Sequence, residues 1–252
     1  MALFQTGYIS KALGKQASFN AVFPDNFIAG NKKFPVLYLL HGLSDDHSMW
    51  LRRSCIERYA AEYGVAVIMP DGGRSFYTDM KHGGKYFQAI AEELPAFAER
   101  MFPISTRRED TFIAGLSMGG YGALKTALRY PERFAAAGIM SAVTDIADKF
   151  SSGIFDMNLW QDIFGSAADV APDGNDLFVL AEKAAELPQY PKIIQFCGKD
   201  DFLLEDNRKL NRVLENLHWK DYVYRETSGA HTWTFWDKHI QDILKFFFTG
   251  DF

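Results

Sequence analysis

Short apolar runs and longer amphipathic stretches take turns along the chain. Residues 16–23 (QASFNAVF) alternate, which predicts an early, half-exposed strand. Residues 35–40 (PVLYLL), 64–70 (GVAVIMP), 111–116 (TFIAGL) and 134–141 (FAAAGIMS) are nearly continuous apolar runs, and 192–197 and 221–227 complete the set of strands. Between them the spacing turns helical over 50–62, 84–101, 117–130, 203–218 and 233–248. Buried strands alternating with helices predict an α/β protein with a mostly parallel sheet covered on both faces. Its crossovers should be right-handed. Residues 142–190 break the rhythm with Gly153, Pro172 and Gly174, and show one helical piece near 176–187. That stretch is too long for a plain connection. It is expected to be a cap-like insertion over one end of the sheet, part of a single domain spanning 1–252, because so short a segment would not fold alone.

Composition narrows the picture. The chain has 252 residues, 48% of them apolar and 23% charged, which excludes disorder and fibrous structure. Lys plus Arg is 27 and Asp plus Glu is 32, a formal charge of −5, so no basic stripe for nucleic acid is expected. Arg52-Arg53 and Arg107-Arg108 read as solvated surface. Cys55 and Cys197 sit in no C-x-x-C pair, so neither a disulfide framework nor a zinc site follows. The start, MALFQTGYISKALGKQ, lacks the features of a signal peptide, and no apolar stretch is long enough to span a membrane. A cytoplasmic location is expected, with no membrane partner and with room for a homo-oligomer.

One motif carries chemistry. Gly115-Leu116-Ser117-Met118-Gly119 fits G-x-S-x-G, follows an apolar strand and opens a helix. That is the setting a nucleophile elbow requires; the bland alternative is a glycine-rich turn with Ser117 as a helix cap. A serine hydroxyl needs a base, and the chain order should be Ser, acid, His. His218 ends a helix and His239 lies inside the last one. His231, in the loop Ser228-Gly229-Ala230-His231-Thr232-Trp233 after the last strand, is the expected base. The acid should follow the preceding strand, where Asp200 and Asp201 stand side by side; spacing alone does not separate them. An oxyanion hole needs two backbone N–H groups. Met118, after the nucleophile, should supply one, and Leu43, in the His41-Gly42-Leu43 loop after an early strand, the other. His41 itself reads as a structural loop histidine.

The strings HGLSDDHSMW, MPDGGRSFYTDM, AGLSMGGYGALKTAL, CGKDDFLLEDN and GAHTWTFW closely resemble the esterase D–like branch of the α/β-hydrolases. That branch includes tributyrin esterases, S-formylglutathione hydrolases, feruloyl esterases and mycolyltransferases, and the resemblance, closest to bacterial tributyrin esterases, covers about residues 15–250. It implies an α/β-hydrolase fold with Ser117 as nucleophile and His231 as base. The family's acid precedes Phe-Leu, which implies Asp201. The oxyanion loop, Gly-Leu-Ser-Asp-Asp, departs from the cysteine-containing loop of the S-formylglutathione hydrolases, which tend to be longer. The expected activity is a serine carboxylesterase acting on small-molecule, short-chain acyl esters, with no cofactor and no metal. Feruloyl ester or S-formylglutathione thioester hydrolysis is the alternative within the chemistry, and a catalytically inactive binding module the alternative outside it. Trp160 and Phe155 in the insertion, and Trp233 beside His231, are the candidate substrate contacts.

Overall fold

The structure, a computed structural model, describes residues 1–25 and 33–250. Its centre is an eight-stranded sheet: β1 (Ala2–Ser10), β2 (Lys15–Phe23), β3 (Val36–Leu40), β4 (Ala66–Pro70), β5 (Thr111–Leu116), β6 (Ala136–Met140), β7 (Lys192–Gly198) and β8 (Tyr222–Thr227). The order across the sheet is β1-β2-β4-β3-β5-β6-β7-β8. β2 pairs antiparallel with both neighbours, and every pair from β4 to β8 is parallel. The five strands β3 to β7 are buried on both faces along nearly their whole length, which is why they read as continuous apolar runs.

Among the described residues ten α-helices cover the sheet: α1 (Met49–Arg53), α2 (Ile56–Tyr63), α3 (Tyr86–Gln88), α4 (Leu94–Met101), α5 (Met118–Arg129), α6 (Lys149–Ser152), α7 (Met157–Phe164), α8 (Leu177–Ala185), α9 (Leu204–Asn216) and α10 (Trp233–Thr249). A π-helical turn, Ala89–Glu93, joins α3 to α4. Two apolar clusters follow from the alternation within strands. Val36, Tyr38 and Leu40 face α4, α5, α8 and α9, whereas Leu37 and Leu39 face α2 and α10.

Three expectations change. The early strand is preceded by another, β1, and β2 therefore lies inside the sheet, its last five residues fully buried rather than half exposed. The stretch 50–62 is two helices, broken at Ser54-Cys55. The insertion holds three helices, not one. α7 packs Trp160, Ile163 and Phe164 inward, the i, i+3, i+4 stripe of an amphipathic turn. α8 lies along α5, and the 81–82 backbone donates to the carbonyls of Ile163 and Asp162. The insertion shares its apolar cluster with the sheet.

Candidate active site

β5 ends and α5 begins with one residue, Ser117, between them. Its backbone stands at φ 52°, ψ −117°, a conformation a non-glycine residue adopts only when its surroundings impose it, at about 1–3 kcal/mol. The motif glycines explain how. A Cβ on Gly119 would lie 2.4 Å from the Leu40 carbonyl oxygen, and one on Gly115 would lie 2.3 Å from that of Gly119. Both contacts are with backbone, so only glycine lets the turn close against β3. The Ser117 N–H donates to Met140 O at 2.8 Å, tying the turn to β6.

The loops at the carboxyl ends of β7 and β8 meet at this serine. His231 Nε2 stands 3.0 Å from Ser117 Oγ, and its Nδ1 stands 3.1 and 3.0 Å from the two carboxylate oxygens of Asp201. A carboxylate only accepts, so the ring proton is on Nδ1 and Nε2 is free to accept from the serine hydroxyl. Asp201 is buried and also accepts from Leu203 N–H at 2.9 Å. Burial pushes its pKa up, but hydrogen bonds from His231, Leu203 and Ser141 outweigh that and hold it below the ordinary carboxylate value. Asp200 is exposed, and its backbone N–H donates to Gly229 O. The geometry thus separates two aspartates that spacing could not. His218 is exposed at the end of α9, and buried His239 is engaged by Thr227 and Asp242, so neither approaches the serine.

His41 is fixed at both nitrogens. Gly72 N–H donates to Nε2 at 2.9 Å, which places the proton on Nδ1, and Nδ1 donates to Gly42 O at 2.7 Å. Asp45 N–H also donates to that carbonyl, at 3.2 Å. The Gly42–Leu43 peptide plane is therefore pinned by its oxygen, and the Leu43 N–H points the opposite way across a trans peptide. The loop passes beside Ser117: a Cβ on Gly42 would stand 3.9 Å from Ser117 Cβ. Among the described residues neither the Leu43 nor the Met118 N–H has a protein acceptor. Met118 begins α5, so its N–H is one of the unpaired donors of the helix N-terminus.

The aromatic candidates are placed differently. Trp160 has no exposed surface. Phe155 stacks on it at 4.5 Å, Phe76 meets it edge-on at 4.8 Å, and its indole N–H donates to Ile146 O, so Trp160 is core of the insertion rather than an open wall. Phe155 is half-buried. Trp233 packs edge-on against Trp50 and Trp236. The α10 aromatic that meets the imidazole is Trp236, at 4.9 Å and 89°, with its indole N–H on Ser141 Oγ. Phe202, 58% exposed, has its ring centroid 4.6 Å from that of the imidazole. Ser141, Trp236 and Phe202 were not singled out from sequence. Only Phe202 carried a signal, as the residue after Asp201. Among the described residues no three His, Cys, Asp or Glu side chains converge as a metal site, and no helix is long and apolar enough to cross a membrane. A cavity of about 660 Å³ lies at the amino ends of the strands, lined in part by Phe112, Ala136, Lys192 and Phe246, away from Ser117.

A strand order of this kind with an elbow after the fifth strand defines an α/β-hydrolase, and solved structures of that class superpose on the whole chain. The fluorophosphonate-binding serine hydrolase F of Staphylococcus aureus is 34% identical, with a TM-score of 0.90 and 98% of both chains covered. An S-formylglutathione hydrolase from the same organism is 34% identical, with a TM-score of 0.87 and 98% of both chains covered, so length does not set this chain apart from that activity. An acetyl esterase of Caldicellulosiruptor saccharolyticus is 35% identical over 97% of each chain. Within the class the chain belongs to the Esterase family, whose model matches residues 10–247, and it is a serine ester hydrolase.

Proposed function

We propose that the chain is a carboxylesterase of short-chain acyl esters, with Ser117, His231 and Asp201 as its catalytic triad. The observation that carries this reading is the unbroken hydrogen-bond path from Asp201 through His231 to Ser117 Oγ. Asp201 orients the imidazole and stabilises it when charged. His231 Nε2 takes the hydroxyl proton as Oγ attacks the ester carbonyl. The oxyanion that forms is held by the N–H groups of Leu43 and Met118. The C–O bond to the alcohol then breaks, His231 gives the proton to the departing oxygen, and an acyl-Ser117 remains. Water attacks that ester with His231 again as base, releasing the carboxylic acid and restoring the hydroxyl.

The 35% identical acetyl esterase supports a small acyl group. Thioester hydrolysis would use the same atoms, and the S-formylglutathione hydrolase from S. aureus is the observation that favours it as a second reading. Turnover of Ser117→Ala tests the proposal. Loss of the nucleophile should cost roughly 10⁴ to 10⁶ in rate with the fold intact. A purified variant keeping about a tenth of the activity or more would contradict it.

A further inference from the structure

Two consecutive residues in the segment after β4, Phe76 and Tyr77, hold left-handed backbone, at φ 50° and 49°. Bulky residues take that conformation only where their surroundings impose it, and such strain collects at functional sites. Here the turn's own side chains impose it. Ser75 Oγ donates to Gly72 O at 2.7 Å and accepts from the Tyr77 N–H at 3.0 Å, while Thr78 Oγ1 donates to Phe76 O at 2.9 Å. Phe76 anchors the turn in the insertion, edge-on to Phe155, Trp160 and Phe164. Tyr77, fully buried, reaches the loop after β3, where its hydroxyl donates to His41 O at 3.0 Å. Its ring fills a slot between two glycines: a Cβ on Gly72, or on Gly122 of α5, would lie 2.4 Å from a Tyr77 ring carbon. The same His41 carbonyl oxygen lies against α5, 2.6 Å from where a Cβ on Gly119 would stand.

Tyr77 therefore spans the two elements that carry the proposed oxyanion donors. The Met118 N–H begins α5, one turn before Gly122. The Leu43 N–H follows two peptide planes that are each held by their oxygen: Tyr77 Oη donates to the His41 carbonyl, and His41 Nδ1 and the Asp45 N–H donate to the Gly42 carbonyl. We propose that Tyr77 is a positioning residue for the oxyanion: its hydroxyl on the His41 carbonyl and its ring against α5 set the separation of the Leu43 and Met118 N–H groups. The inference rests on the reading of those two groups as the oxyanion donors. With its hydroxyl committed to a backbone carbonyl, Tyr77 acts on the reaction only through that loop. A peptide plane is rigid, so a released His41 carbonyl turns about the soft dihedrals of Gly42, which has no Cβ to resist. The Leu43 N–H then loses its aim at the developing charge, a loss felt in the transition state rather than in substrate binding.

Tyr77→Phe removes the hydroxyl and keeps the ring in its slot. Against p-nitrophenyl acetate and p-nitrophenyl butyrate, kcat/KM should fall about tenfold to a hundredfold, less than the roughly hundredfold to thousandfold that removing a whole donor costs. The fall should be equal for the two esters, because they share the oxyanion. An alkyl trifluoromethyl ketone gives a second readout. Ser117 Oγ bonds to its carbonyl carbon, His231 takes the hydroxyl proton, and the carbonyl oxygen becomes an oxyanion in the same place. The inhibition constant of the ketone should rise by the same factor as kcat/KM falls, which a merely structural role would not produce. Gly122→Ala, which pushes the ring off α5 and keeps the hydroxyl, should show the same paired loss and decides the matter if Tyr77→Phe does not fold. Unchanged kcat/KM in either folded variant, a fall without a matching loss of ketone affinity, or a fall confined to one ester would each overturn the proposal. A wild type that neither turns over esters nor binds the ketone would instead sink the esterase reading, and this inference with it.

Discussion

Ser117 holds its strained backbone because Gly119 lets α5 sit directly on the Leu40 and His41 carbonyls. Gly119→Ala must push that backbone apart, so esterase activity should fall at least about a hundredfold, as misplacement by about 1 Å does in positioned chemistry. Unchanged kcat/KM in Gly119→Ala would show that the close approach is dispensable. Asp201 and Asp200 offer a sharper comparison. Asp201→Asn should cost up to about 10⁴ in turnover by losing the tautomer-fixing carboxylate, whereas Asp200→Asn should leave turnover near wild type. The reverse pattern would move the acid back one position. Asp201 also has a stability signature. Its pKa is depressed in the fold, so its contribution is complete above the ordinary carboxylate value and is lost as pH falls through the folded one. The melting-temperature gap between wild type and Asp201→Asn should therefore close on strong acidification. Ser117 and His231 were legible as candidates in sequence because each sits in a loop directly after a strand, with glycines around it. Ser141 and Trp236 were not, because separate segments bring them to the Asp201 carboxylate and the His231 imidazole, and Phe202 was marked only by its place after Asp201.

At the scale of elements, the insertion is tied to α9 by a buried ion pair. Lys149 Nζ lies 2.6 Å from Asp206 Oδ1, on α9 just after the Asp201 loop, and Lys209 meets Asp145 nearby. Removing one member of a buried pair leaves an uncompensated charge, so Lys149→Met should cost about 3 kcal/mol. Burial already raises the Asp206 pKa despite Lys149, and without the lysine it will rise further. A carboxyl with a raised folded pKa favours folding as pH falls through that value. Thermal melts should then show Lys149→Met closer to wild type at mildly acid than at mildly alkaline pH. An equal gap at both would mean that Asp206 is not the group left unpaired. Strands β3 to β7 were readable because burial on both faces leaves an unbroken apolar run. β1 was not, since Leu3 and Ile9 on its exposed face blur the alternation with Phe4 and Tyr8. α7 had a readable stripe in Trp160, Ile163 and Phe164, masked by its eight-residue length and by Gly153 and Gly165 nearby.

Over the whole molecule, the insertion packs its aromatic side chains against α5 and Phe76 rather than leaving them as an open groove. An acyl site confined by such a packed layer gains about 0.8 kcal/mol for each methylene that fits and loses that gain once the wall is met. Across esters from C2 to C12, kcat/KM should peak between acetyl and butyryl, and a maximum at C10 or beyond would contradict a confined site. The central claim is more basic, namely that one activated serine does the chemistry. Intact-protein and peptide mass spectrometry after reaction with a fluorophosphonate addresses it directly, because only an activated serine is phosphonylated quickly at neutral pH. The account predicts one phosphonyl group per chain, located on Ser117, with none on Ser117→Ala and much slower labelling of folded His231→Ala. Rapid labelling at any other residue, or undiminished labelling of Ser117→Ala, would contradict it.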